Sequence, residues 1–252
     1  MKARFDATGE VVVITGGAQG IGAALAAAVN AAGGTAVVFD VTVPPSGVEY
    51  VKVDVADQSA IKAAVAGVLE RYGRIDGLVA GAAVQPRSPV LDMDAASWSR
   101  TLQVNLDGVV WACQAVVPHM VARRSGSVIV FTSGMASTGY AGAAAYAASK
   151  AALVAFAKTL AVEVAGDRVR VNVVAPGVID TEQFRGANAG ADREHWQDTI
   201  GIGDPEDVVG PLLFLLSDAA AMTGSVLTRE RAFAKLTAFA KRENDYSSGS
   251  DE

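Results

Sequence analysis

The chain has 252 residues, of which 51% are hydrophobic and 19% are charged, and its formal net charge at pH 7 is −6. This length and apolar content suffice for one well-filled core and predict a single domain. The negative net charge argues against nucleic-acid binding, and no apolar run approaches the roughly 18 residues of a membrane span.

The cysteine and histidine content argues against disulfides and metals. Cys113 is the only cysteine, which excludes an intrachain disulfide and fits a reducing, cytoplasmic compartment. The chain enters a strand directly, without the basic region and long apolar run of a secretory signal. His119 and His195 are far apart in sequence, without a Cys/His cluster around them, so no metal site is expected.

The first element is a glycine-rich turn between a strand and a helix. Residues 10–15 form a continuous apolar run, typical of a parallel strand buried on both faces. An alanine-rich helix at 23–32 follows the turn. Glycines let backbone N–H groups approach a pyrophosphate, and the helix N-terminus adds partial positive charge. The spacing G-x-x-x-G-x-G predicts a dinucleotide site with contacts at Gly16, Gln19, Gly20, Ile21 and Gly22.

Acidic residues end the next two predicted strands. Asp40 follows the strand at 35–39 and lies 18 residues past Gly22, near the roughly 20 expected of a ribose-binding acid. A carboxylate there accepts from the adenosine 2′-OH and repels a 2′-phosphate, which predicts NAD rather than NADP. Asp54 ends the strand at 50–53 and, with Val55, is predicted to contact adenine. For both acids, the alternative is that they only cap turns.

The connections around these strands carry further expectations. Pro44 and Pro45 exclude a crossover helix between the second and third strands. After a helix at 59–72 and a strand at 75–80, small residues at 81–83 would let the backbone pass close to a cofactor, with Ala82 as a contact. A long helix spanning 95–106 and 109–121 contains Asn105 among apolar residues. Its amide bonds either to neighbouring backbone or to a water near Lys150.

The stretch from Ser133 to Lys150 carries the clearest chemistry. Ser133 ends an apolar strand at 127–132, where open α/β sheets bind ligands. Tyr146 and Lys150 lie one turn apart on a predicted helix at 143–164. At ~4–6 Å and an effective dielectric near 20, the cation would stabilise the phenolate by roughly 3–4 kcal/mol, or about 2–3 pKa units. A lowered Tyr146 pKa would make the phenol a usable acid and base.

The last third of the chain continues the alternation of predicted strands and helices. A strand at 168–174 ends before Pro176 and Gly177, and the polar segment 182–203 is predicted to be a mobile loop or lid. Asp204 caps a helix with Pro205 in its first turn, and a short strand lies at 225–228. The whole pattern predicts an α/β fold: a single doubly wound Rossmann-type domain, whose parallel sheet of about seven strands carries helices on both faces.

These residues resemble the short-chain dehydrogenase/reductase family over roughly 11–228. The likeness rests on the order and separation of several motifs: Gly16, Gly20, Gly22, Asn105, Ser133, Tyr146, Lys150, Pro176, Gly177 and Thr181. It implies NAD(P) and hydride transfer at a carbinol carbon. It further implies that Tyr146 is the acid/base, that Ser133 polarises the substrate oxygen, and that Lys150 lowers the Tyr pKa and binds the ribose. Asn105 would position a water, and Ile179 and Thr181 would contact the nicotinamide amide.

Three departures from the family pattern stand out. The usual Asn-Asn-Ala-Gly appears as residues 80–83 without asparagine, which is expected to loosen the adenosine side. The short 41–49 link resembles that of some dehydrogenases acting on cyclic diols. The usual Asp-Gly-Gly after the last strand is absent. Residues 1–228 are therefore expected to form the catalytic domain, and 229–252 an atypical amphipathic helix with a disordered tail.

The sequence thus predicts an NAD-dependent enzyme acting on a small alcohol or ketone, without nucleic-acid or membrane partners. The predicted substrate contacts are mostly apolar and suggest a secondary alcohol, a ketone or a cyclic diol: Gln85, Ser133, Met135, Tyr140 and Phe184. Arg87 and Arg185 lie nearby in sequence without forming an evident arginine clamp. A small-residue stripe from Ala144 to Ala155 lies on the helix that forms a dimer interface in this family and predicts a homodimer or homotetramer, with packing inside the monomer as the alternative. The altered C-terminal segment argues against the tetramer. The alternatives are a non-catalytic NAD-binding sensor or scaffold, and a lipid-surface enzyme using the C-terminal helix.

Overall fold

Seven parallel strands form one sheet in the computed structural model, which describes residues 4–45, 47–188, 196–197 and 200–229. Their order is β3-β2-β1-β4-β5-β6-β7. The strands are β1 Val11–Thr15, β2 Thr35–Asp40, β3 Glu49–Lys52, β4 Gly77–Ala80, β5 Gly126–Phe131, β6 Val169–Ala175 and β7 Val226–Thr228. Because the chain leaves β1 toward β2 on one side and returns as β4 on the other, a crevice opens at the carboxyl ends of β1 and β4.

Both faces of the sheet are covered, which explains the uninterrupted apolar strands. All five residues of β1 are buried. Val11 and Val13 point into one core and Val12 and Ile14 into the other, as the two-residue period of a strand requires. Parallel strands need this double cover, so the strands predicted from apolar runs are confirmed to within about two residues.

Helices form the two outer layers. One face carries α2 Gln58–Tyr72, α4 Gly108–Arg123 and α6 Ala144–Val164, and the other carries α1 Gly20–Ala31 and α8 Val209–Leu216. Shorter helices are α3 Ala95–Leu102, α5 Met135–Thr138 and α7 Glu182–Ala187. The predicted lack of a crossover helix between β2 and β3 is confirmed for the described residues of that link. The single α/β domain with helices on both sides of a parallel sheet is therefore as predicted.

Two local features differ from the sequence prediction. Residues 182–187, predicted as loop, form α7, because the Thr181 side chain caps the helix by accepting from Phe184 N at 3.1 Å. The long helix around Asn105 contains a π-helical segment, Gln103–Asp107, in which Gly108 N bonds back to Gln103 O. Single π turns often accompany functional sites.

Asp204 and Pro205 begin a short 3₁₀ segment, Pro205–Val208, that leads into α8. The predicted C-terminal helix and tail lie outside the described residues beyond Arg229. Across the described ranges, no helix has the length and apolar character needed to cross a membrane.

Candidate active site

A cleft of about 290 Å³ lies at the carboxyl ends of β1 and β4. It brings together all but two of the predicted cofactor contacts: Gly16, Gln19, Gly20, Ile21, Gly22, Asp40, Asp54, Val55, Ala82, Tyr146, Lys150, Pro176 and Thr181. Gly177 and Ile179 are not part of its wall. Gly177 packs against the backbone of Arg229, and Ile179 is buried in the core and pairs with Gly203.

The glycine-rich turn packs too closely against neighbouring backbone to admit side chains at Gly16 and Gly22. A Cβ on Gly16 would lie 2.6 Å from the Ala82 backbone, and one on Gly22 would lie 2.4 Å from Gly16 O. The N-terminus of α1 has no side-chain cap at Gln19 and no acidic residue in its first turn. Its N–H groups and partial positive charge therefore face the cleft and suit the pyrophosphate of a dinucleotide.

The two acids at the adenosine end both cap turns, as the alternative reading allowed. The Asp40 carboxylate accepts from Ala18 N at 3.0 Å and from Thr42 N at 2.9 Å. Asp54 accepts from a backbone N–H two residues on and pairs with Arg100 at 2.9 Å. Both acids still line the cleft. Arg100, which the sequence gave no reason to single out, belongs to this wall as well.

The turn after β4 is bonded to the end of β1, and the expected loosening of the adenosine side stays a prediction. Thr15 Oγ1 accepts from Gly81 N at 3.1 Å and from Ala82 N at 3.3 Å. Thr15 is itself buried at the end of β1. A hydroxyl at the end of β1 thus ties the turn after β4 to the neighbouring strand.

Asn105 braces the same turn from the other side. The residue is fully buried, its Oδ1 accepts from Val84 N at 2.8 Å, and its Nδ2 donates to Val84 O at 2.9 Å. Nδ2 also approaches Ser149 Oγ at 3.2 Å, and Ser149 donates to Tyr146 O at 2.7 Å. Of the two alternatives for Asn105, bonding to neighbouring backbone is the one observed. Ser149 was missed because a serine inside a helix carries no functional signal by itself.

Tyr146 and Lys150 share one side of α6 at the end of β5. Lys150 is only 3% exposed, and its Nζ donates to Phe131 O at 3.0 Å. The same Nζ lies 5.7 Å from the centre of the Tyr146 ring. Thr132 Oγ1 donates to Lys150 O at 2.8 Å, which fixes the lysine backbone against the strand end.

The predicted lowering of the Tyr146 pKa by Lys150 is wrong. Burial raises the Tyr146 pKa, and a hydrogen bond with Ser133 and the charge of Arg87 only partly offset the rise. Burial also lowers the Lys150 pKa to about 8. The sequence argument counted the attraction between the two groups but omitted desolvation, which is the largest contribution to both pKa shifts.

The predicted substrate side chains gather beyond Tyr146. Gln85 Nε2 lies 3.7 Å from Met135 Sδ. The Tyr140 ring carries the Arg87 guanidinium 4.6 Å from its centre and stacks on Trp196 with ring centres 5.5 Å apart. The last predicted contact, Phe184, lies on α7. Gln85, Met135 and Tyr140 are thus linked to one another through contacts that include Arg87, but none of these residues is part of the cleft wall.

The family model described as short chain dehydrogenase matches residues 10–192. The chain belongs to the short-chain dehydrogenase family. It is therefore an NAD(P)-dependent oxidoreductase acting on alcohols or ketones, and a non-catalytic sensor or scaffold is set aside.

Relatives and solved structures agree with this membership. The 3-oxoacyl-[acyl-carrier-protein] reductase FabG of Thermotoga maritima is 36% identical, covering 87% of this chain and 95% of its own. The cis-4-hydroxycyclohexanecarboxylate dehydrogenase of Sinomonas cyclohexanicum is 32% identical, covering 86% and 93%. The crystal structure of levodione reductase superposes with a TM-score of 0.82 at 28% identity, covering 90% and 97%. The likeness extends over nearly the whole short-chain dehydrogenase domain.

Proposed function

We propose that this short-chain dehydrogenase transfers a hydride between NAD and a secondary alcohol or ketone, with Tyr146 as the general acid and base. The observation that carries the proposal is the position of Tyr146, which lines the dinucleotide cleft together with Lys150 and interacts with Ser133. A phenol and a hydroxyl there can both reach one substrate oxygen beside a bound nicotinamide.

The residues divide the chemistry between them. The nicotinamide, when bound, supplies the hydride acceptor or donor. Tyr146 gives a proton to the oxygen formed on ketone reduction and takes it back on alcohol oxidation. Ser133 donates a hydrogen bond that steadies charge on that oxygen. Because burial raises the Tyr146 pKa, the phenol is protonated at neutral pH, which suits ketone reduction, and higher pH favours alcohol oxidation.

The proposed roles of Lys150 and Asn105 follow from their contacts. The Lys150 ammonium is held at the cleft wall by Phe131 O, where it can bind the ribose hydroxyls of the nicotinamide half. Asn105 fixes the turn after β4 and, through Ser149, the start of α6. Thr181, with Pro176 beside it in the cleft wall, would face the nicotinamide amide.

NAD is proposed over NADP because of Asp40. Its carboxylate lines the cleft and uses two acceptor positions for backbone N–H groups, which leaves capacity for a ribose 2′-OH. The same charge opposes a 2′-phosphate. Steady-state kinetics with the two cofactors tests this, and a lower KM for NADP would contradict the role given to Asp40.

For the substrate we propose a secondary alcohol or ketone on a compact, mostly apolar skeleton, such as a cyclic diol. Met135, Tyr140 and Trp196 offer apolar surface, and the cyclohexane ring in one relative's name supports a ring substrate. We further propose a cytoplasmic homodimer or homotetramer. Ala148, Ala151 and Ala155 form an exposed strip of small residues along α6 that permits close approach of a second copy.

The deciding experiment is Tyr146→Phe, assayed by NADH absorbance with a panel of secondary alcohols. Loss of the phenol proton should lower kcat by roughly 10²–10⁴ while NADH affinity, measured by fluorescence titration, is retained. Tyr72→Phe, at the far end of α2, is the matched control and should keep full activity. Unchanged turnover in Tyr146→Phe would remove Tyr146 from the reaction.

A further inference from the structure

Arg87 differs from the other arginines near the cleft because it lacks an acidic partner among the described residues. Arg100 pairs with Asp54, and Arg185 pairs with Asp180 and also with an acid on its own helix. Arg87, by contrast, contacts only neutral groups in the described part of the chain, although it is half-buried. Its positive charge is therefore not neutralised there.

The contacts of Arg87 hold its guanidinium among the predicted substrate contacts Met135 and Tyr140. Nε donates to Ala187 O at 3.4 Å, Nη2 donates to Asn188 Oδ1 at 3.0 Å, and Nη1 lies 3.8 Å from Met135 Sδ. A guanidinium has five N–H donors, so one on each terminal nitrogen has no partner among the described residues. These two N–H groups belong to the planar fork that matches a carboxylate.

The same charge lies next to the proposed acid and base. The guanidinium carbon is 4.6 Å from the centre of the Tyr140 ring, and the charge also acts on Tyr146. Burial lowers the Arg87 pKa, which means that the protein holds this cation at a cost. A partly desolvated cation without a counter-ion gains most from an anion that arrives with the ligand.

We propose that Arg87 binds a carboxylate of the substrate, so that the preferred substrates are secondary hydroxy acids and the corresponding oxo acids. The inference rests on the proposed function and narrows its substrate class. The carboxylate meets the fork of Arg87 beside Tyr140, and the carbinol carbon then lies toward Tyr146 and Ser133. This adds a charged anchor to the mostly apolar skeleton expected from the other pocket residues.

The kinetic test uses full-length protein, saturating cofactor and matched substrate pairs. Each secondary hydroxy acid, with one to four carbons between carbinol and carboxylate, is compared with its uncharged amide. Arg87→Gln should lower kcat/KM for the best acid by roughly ten- to hundredfold relative to its amide, the range for a hydrogen bond to a charged group. Arg87→Lys should restore part of this preference. Arg185→Gln, which removes a nearby paired arginine, should leave the acid-to-amide ratio unchanged.

A binding measurement separates this inference from the reaction itself. Calorimetric titration with cyclohexanecarboxylate and with cyclohexanecarboxamide, at saturating cofactor, requires no turnover. The wild type should bind the acid more tightly than the amide, and Arg87→Gln should lose that difference. Equal binding of acid and amide by the wild type, or an unchanged ratio in Arg87→Gln, would overturn the assignment even if alcohols are oxidised. Carboxylate binding through Arg87 without any alcohol oxidation would instead refute the proposed function and keep the anion site.

Discussion

Replacing Lys150 by Met should make the protein more stable at neutral pH while removing its activity. Burial lowers the Lys150 pKa from 10.5 to about 8. That difference of about 2.5 units corresponds to about 3 kcal/mol at 1.36 kcal/mol per unit. Because the Lys150 pKa is lower in the folded protein than in the unfolded chain, Lys150 keeps its proton to a higher pH in the unfolded chain. The penalty is therefore full below about pH 8 and disappears as the pH rises toward 10.5.

Lys150→Met has no such penalty but loses the bond from Nζ to Phe131 O, worth about 1.5–3 kcal/mol for a charged donor. At pH 7 the variant should therefore exceed the wild type in unfolding free energy by up to about 2 kcal/mol. Between pH 8 and pH 9.5 the wild type regains about 2 kcal/mol, so the advantage of the variant should vanish or reverse.

Urea unfolding followed by circular dichroism at pH 7.0, 8.0, 9.0 and 9.5 measures this difference. Lys158→Met removes an exposed ammonium from the same helix and serves as the control, whose difference from wild type should stay constant. The reasoning fails if the excess unfolding free energy of Lys150→Met over the wild type also stays constant with pH, or grows as the pH rises. The buried lysine would then not be a desolvated cation.

Three further outcomes are expected. Gly22→Ala should raise the NAD dissociation constant at least about tenfold, because its Cβ would meet Gly16 O at 2.4 Å and shift the turn. Fluorescence titration with NADH measures the affinity. An unaltered affinity would contradict the role of this turn in binding the pyrophosphate. Asn105→Leu should lower the unfolding free energy by about 2–4 kcal/mol, because it leaves both backbone groups of Val84 unpaired; urea unfolding measures this. A decrease below about 1 kcal/mol would show that the Asn105 hydrogen bonds are not needed for stability. Asp40→Asn should raise the kcat/KM ratio of NADP to NAD roughly tenfold, and an unchanged ratio would argue against charge repulsion at that position.

The sheet could be predicted because its signal is local and redundant. Buried parallel strands must be apolar on both faces, and β1 and β5 show this directly in the sequence. The cofactor cleft followed, because the carboxyl ends of such strands gather at one edge. Gly177 and Ile179 do not line the cleft as predicted, because a motif gives the order of residues but not the direction in which each one faces.

What could not be predicted depends on contacts between distant residues. Thr15 gives no sign in the sequence that its hydroxyl holds a turn more than sixty positions away. The direction of the Tyr146 pKa shift depends on how deeply the ring is buried, which spacing along a helix does not reveal. The short helix α7 escaped because six residues carry too little periodicity.

Arg87 illustrates the same limit. Its position in the chain, a few residues beyond β4, suggested proximity to the pocket and nothing more. The structure adds that neutral partners hold it and that its guanidinium lies over the Tyr140 ring. The proposal that it anchors an anion depends on this combination of partial burial, neutral partners and the lack of an acidic partner among the residues that the structure describes.

The π turn at Gln103–Asp107 sets a constraint on the length of the chain around it. Such a turn accommodates one residue more than regular α-helix would. The turn takes up that extra residue locally, but deleting a residue from the regular helix on either side would rotate one half by about 100° relative to the other. Asn105 and the buried face of α4 could not then both keep their partners. Evolution and protein engineers alike can exchange side chains along this helix more readily than they can shorten it.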